Sequence, residues 1–286
     1  MKVLVFGTSG QVASELTRRA PKGWLVTSAG RAAADLADPG ACARLISEVD
    51  TDAVINAAAY TAVDRAETEE ALAQTVNGAA PAAMAKAAAR RGLPFLQIST
   101  DYVFDGAGTA PRKPGDPVAP LGAYGRSKLA GEAGVREAGG THVILRTSWV
   151  FSAHGTNFVK TMLRLAESRD KLTVVADQVG GPTPAAAIAD ALFAMAKGLA
   201  VDPGLSGTYH FSGAPDVSWA DFAREIFRQS GRATLVEDIP SAAYPTPARR
   251  PANSRLDCAS LAAFGLARPD WRAHLSDILT ELGARP

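Results

Sequence analysis

Cysteine is nearly absent, with two residues, Cys42 and Cys258, in a chain of 286. Two thiols so far apart make no disulfide framework and no clustered metal-ligand spacing, and they suit a reducing compartment. Histidine is scarce too: the four residues at 142, 154, 210 and 274 have no spacing that suggests zinc. An excess of charge is also missing, since Lys+Arg 30 against Asp+Glu 29 leaves a net +1. Without a basic stripe to neutralise phosphates, nucleic acid is not an expected partner. No apolar run approaches the ~18 residues of a membrane span, and the opening run Met1 to Gly7 is too short for a secretory leader. The expectation is therefore a cytoplasmic protein. What is present, 47% hydrophobic and 21% charged residues, is ordinary for a folded globular chain of one large domain or a domain with a smaller lobe.

Alanine makes up about a fifth of the sequence and gathers in Ala82 to Ala89 and Ala185 to Ala196. It loses no side-chain entropy in a helix, so these segments read as helices. Between such segments lie short apolar runs of strand length: Val3 to Phe6, Trp24 to Thr27, Ala53 to Ile55, Phe95 to Ile98 and His142 to Leu145. Strand and helix alternate, which predicts an α/β fold, a doubly wound parallel (Rossmann) sheet. Asp38-Pro39 and Ser218-Trp219-Ala220-Asp221 mark two helix starts. Beyond about residue 150 the alternation loosens and prolines cluster, as in Gly181-Pro182-Thr183-Pro184 and Tyr244-Pro245-Thr246-Pro247. Residues 1–150 are thus expected to form the cofactor-binding domain. Residues 151–286 are expected to form mainly a smaller, loop-rich substrate lobe interleaved with the last elements of the sheet.

The first strand runs into Gly7-Thr8-Ser9-Gly10-Gln11-Val12-Ala13. Glycines there allow a tight turn and close approach of backbone to a pyrophosphate, which then faces a helix N-terminus. Ala13 stands in the third small position, where only close helix packing is needed. An acidic residue about 20 positions on would accept from an adenosine ribose hydroxyl, but the second strand ends Thr27-Ser28-Ala29-Gly30-Arg31 instead. An arginine at that corner pairs with a 2′-phosphate, favouring NADP(H) over NAD(H), with NAD(H) still possible. The alternative is a solvated loop arginine.

Tyr124-Gly125-Arg126-Ser127-Lys128 places a phenol and an ammonium four residues apart, on one face of a helix. A nearby cation lowers a tyrosine pKa, which predicts that Lys128 activates Tyr124 to exchange a proton with an alcohol or ketone. Upstream, Ser99-Thr100-Asp101-Tyr102 closes the fourth strand, where a doubly wound sheet places its ligands. Thr100 would then point its hydroxyl into the same crevice.

Together the glycine turn, Ser99-Thr100-Asp101-Tyr102 and Tyr124-x-x-x-Lys128 resemble the extended short-chain dehydrogenase/reductases. Further segments are similar to the dTDP-4-dehydrorhamnose reductase family within them: Asn56 to Glu67, Arg146 to Phe151, Gly155 to Val159, Asp177 to Thr183 and Arg249 to Ser254. The resemblance implies reduction of dTDP-4-dehydro-β-L-rhamnose by NADPH, with Thr100, Tyr124 and Lys128 as the catalytic residues. Tyr124 would donate the proton, Thr100 a hydrogen bond to the developing oxyanion, and Lys128 would hold the nicotinamide ribose. It further implies cofactor contacts from Gly7, Ser9, Gly10, Gln11, Val12, Arg31, Asp35, Leu36, Ala57, Ala58, Ala59, Tyr60 and Ser99, besides Tyr124 and Lys128. Substrate contacts would come from Thr61, Val63, Thr100, Asp101, Tyr102, Tyr124, Trp149, Asn157 and Arg250. Arg250 is the choice among Arg249, Arg250 and Arg255 for meeting the diphosphate charge. Asn157 reads either as a ligand for the pyrophosphate or base, or as a helix N-cap.

Some members of that family are dimers bridged by magnesium through acids on the first helix and on the helix after the Pro-Thr motif. Glu15 suits the first position, but after Pro182-Thr183 no acid occurs before Asp190, so no bridging magnesium is expected, and a monomer or weak homodimer is. Two other functions stay open: a related nucleotide-sugar epimerase or dehydratase, and a noncatalytic regulatory subunit of the same fold. Tyr102, standing where dehydratases place a second acid, disfavours dehydration.

Overall fold

The computed structural model describes residues 1–285, so Pro286, the last residue of the expected second unit, lies outside the described residues. The apolar runs of the first half become β1 (Lys2–Phe6), β2 (Leu25–Ala29), β3 (Ala53–Asn56), β4 (Phe95–Thr100) and β5 (His142–Thr147). Trp24, expected to open the second strand, precedes it, because its amide still closes a turn onto the Pro21 carbonyl at 2.9 Å. With Gly207–His210 at one edge, the strands form a six-stranded sheet in the order Gly207–His210, β5, β4, β3, β1, β2, every pair parallel.

Pleating sends alternate residues of β1 to opposite faces. Val3 and Val5 join Leu16, Ile188 and Leu192 in one apolar cluster, while Leu4 and Phe6 join Ile46, Met84 and Ala88 in another. Both faces of the sheet are therefore covered by helices, as a parallel sheet requires. The alanine-rich segments lie inside the helices Ala80–Arg90 and Ala185–Val201. The helix Pro39–Glu48 starts where expected, with the Asp38 carboxylate accepting from the Ala41 amide at 3.0 Å.

A further apolar cluster forms beyond β5, around Phe151, Leu163, Phe222, Phe227, Trp271 and Leu275. It is built by the helices Phe158–Leu165, Trp219–Gln229 and Trp271–Glu281 and a parallel ladder of Lys171–Val175 with Leu235–Ile239. Ser218 caps the second of these helices, accepting from the Asp221 amide at 3.0 Å. Between these pieces in sequence, Ala185–Val201 returns to the central sheet. Strand order reverses on passing from β2 and β1 to β3, opening a crevice at the carboxyl ends of the strands.

Candidate active site

That crevice widens into one cavity of about 1570 Å³, above the roughly 300–1,000 Å³ common for a single small-molecule site. Every residue expected from the sequence to contact cofactor or substrate lines it, from Gly7 at one end to Trp149, Asn157 and Arg250 at the other. Its floor is the glycine turn and the start of α1 (Gln11–Arg18). Gly7 has φ +117, a conformation that favours glycine, and a side chain there would meet the Ala13 Cβ at 3.1 Å. Gly10 caps α1 without a side-chain hydrogen bond, so the first amides of the helix are left for a ligand. A bare backbone turn and an uncapped helix N-terminus fit a dinucleotide pyrophosphate. At the corner after β2, Arg31 is 87% exposed and stands 3.7 Å from the Asp35 carboxylate, open to a 2′-phosphate.

Thr100, Tyr124 and Lys128, the three residues expected to be catalytic, converge above this floor. Thr100 ends β4, while Tyr124 and Lys128 share one face of the helix Ala123–Glu137. The N-cap of that helix, Gly122, supplies no side-chain bond; Glu67 reaches across to accept from the Ala123 amide at 2.9 Å. Lys128 is buried and donates from Nζ to the Ile98 carbonyl at 2.7 Å. Burial pushes its ammonium down to about 8, with the Glu132 carboxylate acting against that fall. For Tyr124 the shift runs opposite to the sequence expectation: burial, then the Asp101 carboxylate, push the phenol up to about 12, and only the Thr100 hydroxyl opposes them. Desolvation of a buried phenol outweighs any help from Lys128, whose ammonium is engaged by the Ile98 carbonyl. Asp101 is itself pushed up to about 6 by burial, against its bonds to Ser254 and Thr100, and its Oδ2 has no partner. Tyr102 meets Tyr124 edge to face at 5.4 Å.

On the far wall the polar residues hold one another. Arg250, expected as a free cation for a diphosphate, donates to both oxygens of Asp64 at 3.1 and 2.9 Å, so its charge is already met. Arg249 and Arg255 do not line the cavity. Asn157 is a helix cap: its Oδ1 accepts from the Lys160 amide at 3.2 Å. Its Nδ2 donates to Ser152 O at 2.7 Å and to Gln11 Oε1 at 3.1 Å, which commits the amide that was expected to read a pyrophosphate or base. Gln11 is bound from the same side, since it also accepts from Ser152 Oγ at 3.0 Å. Trp149 has φ +50, alone among non-glycine residues in the described chain, and such strain gathers at functional sites.

Several lining residues escaped the sequence reading. Trp219 stacks on Trp149 with ring centres 3.6 Å apart and planes 12° from parallel, and Phe158 leans on it at 4.6 Å. In the sequence Trp219 signalled only a helix start. Arg65 and Glu69 form an ion pair at the rim, and Glu69 accepts from the Tyr60 hydroxyl at 2.6 Å. Behind the lining, Asn77, in a π-helical turn, grips the Tyr60 backbone with both ends of its amide and also donates to Ser127, on the helix of Tyr124 and Lys128, at 3.0 Å. No local spacing announces such contacts.

The acids considered for magnesium both hold guanidinium groups. Glu15 accepts from Arg18 at 2.9 Å and Asp190 from Arg19 at 2.5 Å, so the charge each carboxylate would offer a cation is already met by a guanidinium. Among the described residues no three metal-ligating side chains stand together.

Residues 1–284 match the family model of the RmlD substrate binding domain. The dTDP-4-dehydrorhamnose reductase of Sinorhizobium fredii is 46% identical over 278 residues, covering 95% of this chain and 94% of that protein. The reductase of the same name from Escherichia coli is 40% identical, over 99% and 98% of the two chains. Among solved structures, the Bacillus anthracis dTDP-4-dehydrorhamnose reductase in complex with NADP superposes with TM-score 0.91 at 33% identity, over 98% of this chain and 99% of that one. A UDP-glucose 4-epimerase from Thermus thermophilus shares the fold, with TM-score 0.78 at 20% identity over 99% of each chain.

Proposed function

Because the chain belongs to the RmlD family of dTDP-4-dehydrorhamnose reductases, we propose that it reduces the 4-keto group of dTDP-4-dehydro-β-L-rhamnose with NADPH, yielding dTDP-L-rhamnose. One observation carries the reading: Thr100, Tyr124 and Lys128 open into the same cavity as the glycine turn, so a keto sugar and a nicotinamide would meet beside them. When bound, NADPH supplies the hydride that the keto carbon accepts. Gly7, Ser9, Gly10 and Val12 would cradle its pyrophosphate side, and Arg31 its 2′-phosphate, beside Asp35 and Leu36. Ala57 to Tyr60 and Ser99 would border the rest, while Gln11 holds the wall of Asn157 in place.

The residues divide the proton work. As the keto oxygen gains electrons it takes a proton from the Tyr124 hydroxyl, and solvent restores that proton afterwards. A phenol held up to about 12 keeps its proton at neutral pH, which is the state a donor needs. Asp101 favours that state, because a carboxylate beside a phenol opposes its ionisation. Thr100 hydrogen-bonds the developing oxyanion, and Lys128 as an ammonium holds the ribose. Thr61, Val63, Asp101, Tyr102 and Trp149 would line the sugar and nucleotide, with Asn157 and Arg250 holding the wall.

Residues 1–150 would hold mainly the cofactor and 151–286 mainly the substrate. The chain would act as a monomer or weak homodimer, with Glu15 held by Arg18 and Asp190 by Arg19 rather than by a bridging ion. Two buried, unpaired cysteines support a cytoplasmic setting, and no helix among the described residues is long and apolar enough to cross a membrane.

The test is nicotinamide absorbance with enzymatically prepared dTDP-4-dehydrorhamnose, comparing wild type with Tyr124→Phe. Wild type should oxidise NADPH, and the variant should lose about 10²–10⁴ in kcat while still binding NADPH. Activity should fall above about pH 8 as Lys128 loses its proton. If neither protein turns over while both bind NADPH, the reductase reading fails and a noncatalytic subunit takes its place.

A further inference from the structure

Tyr124, Lys128 and Glu132 follow one another at i, i+4 and i+8 along the helix Ala123–Glu137, so all three share one face. Glu132 is completely buried. Its Oε1 accepts from Ser99 Oγ at 2.7 Å and from Arg146 Nε at 2.8 Å. Its Oε2 accepts from Arg146 Nη2 at 2.6 Å and from Arg136 Nη2 at 2.7 Å. Ser99 immediately precedes Thr100 on β4, and Arg146 lies on β5. A single carboxylate thus ties the strand that presents Thr100 to the helix that presents Tyr124 and Lys128.

An ion pair this deeply buried is weak evidence for stability, because a well-packed apolar pair does as well. Its position relative to Lys128 gives it another use. The lysine is buried, and its one hydrogen bond, to the Ile98 carbonyl, is to a neutral acceptor. The titratable and charged groups around this buried face are Tyr124, Glu132 and Arg136 on the same helix, Asp101 after β4, Arg146 on β5, and His210 on the edge strand. His210 lies behind Arg146, with the ring 3.5 Å from its guanidinium. Glu132 is therefore the carboxylate one helical turn along from Lys128, and the charge that acts to raise the lysine's pKa. Its carboxyl stays below the usual range although burial works against it, because Arg146, Ser99 and Arg136 together outweigh the burial.

We propose that Glu132 is a positioning residue for the reduction: it sets the register of the Tyr124–Lys128 helix against Thr100 and keeps Lys128 an ammonium at neutral pH. The role in the reaction rests on the reductase reading above; the effect on Lys128 does not.

The experiment follows the lysine itself. Protein carrying ¹³Cε-labelled lysine is titrated by NMR, with Lys128 assigned by its loss in Lys128→Met, for wild type, Glu132→Gln and the double variant Glu132→Leu/Arg146→Met. The double variant removes both buried charges together, so it keeps the fold where the single change leaves Arg146 unpaired. In Glu132→Gln, Lys128 should titrate at least about one pH unit below wild type, and in the double variant, where a cation leaves with the anion, it should titrate below wild type by less, but measurably. The alkaline limb of kcat should move down with it, even where the melting temperature of the double variant matches wild type. An unmoved Lys128 titration in a folded double variant overturns the proposal and leaves Glu132 a purely structural residue. If wild type fails to reduce the keto sugar, the reductase reading falls alone, since the titration needs no turnover and still decides for or against Glu132.

Discussion

The wall of the cavity formed by the glycine turn and the wall formed around Trp149 are built in opposite ways. At Gly7 to Val12 the chain offers bare backbone: a left-handed glycine and a helix start that no side chain caps. Nothing has to be displaced before a ligand arrives there. Around Trp149 the two polar side chains expected to meet substrate, Arg250 and Asn157, are engaged already. Asp64 holds Arg250, Gln11 holds Asn157, and Trp219 covers one face of Trp149. These contacts join residues 186, 146 and 70 positions apart in the chain. One wall is thus a local backbone device, and the other is a tertiary construction in which Arg250 and Asn157 have partners before any substrate binds, although the Thr147 hydroxyl does not. Preorganised groups lose less freedom on binding, so the second wall suits shape selection, and the first suits recognition of charge.

Substitutions confined to one wall test that separation. Gly7→Val should have the largest effect: a β-branched residue at φ +117 is strained, and its Cβ would crowd Ala13 at 3.1 Å and Ala57 at 3.5 Å. NADPH affinity measured by calorimetry should fall by about 100-fold, roughly 2.7 kcal/mol, while dTDP binding stays within about threefold of wild type. Equal losses for both ligands would mean that the walls are not independent. Trp219→Leu addresses the other side. Loss of a stacked partner at 3.6 Å frees Trp149, and the KM for the keto sugar should rise about tenfold with NADPH affinity unchanged. A fall in kcat with no change in KM would instead place Trp219 in alignment rather than in the substrate wall.

The same division decides what could be read from the sequence. The strand-length runs, the Asp38 cap, the glycine turn and the Tyr-x-x-x-Lys spacing are signals within a few residues of one another, and their places in the structure follow. Gly180 shows how far such signals go: it stands out in Asp177 to Thr183, yet its reason is visible only in three dimensions, where an added Cβ would lie 3.1 Å from the Trp149 ring. Arg250 shows the opposite case. Its type suggested a free cation, but Asp64 neutralises it from across the fold, and no local pattern pairs two residues so distant. Tyr124 failed on energy rather than place. A four-residue spacing puts a lysine near the phenol but does not report burial, and burial dominates the phenol's pKa.

Arg31 gives the smallest and most selective test, because it is the one side chain on the backbone-built wall that is expected to read a charge. Its guanidinium is 87% exposed, and its nearest carboxylate, Asp35, is 3.7 Å away, so it is neither buried nor tightly held. Exposed ion pairs contribute modestly and weaken with salt. Arg31→Ser should therefore raise the KM for NADPH only about fivefold, leave the KM for NADH unchanged, and shrink the wild-type preference further as ionic strength rises. The selectivity matters more than the size. A 2′-phosphate is the group that distinguishes the two cofactors, so a loss restricted to NADPH places Arg31 on that phosphate. An equal loss for NADH would put the side chain on a part both cofactors share, and the backbone-built wall would then depend on side-chain contacts as the opposite wall does.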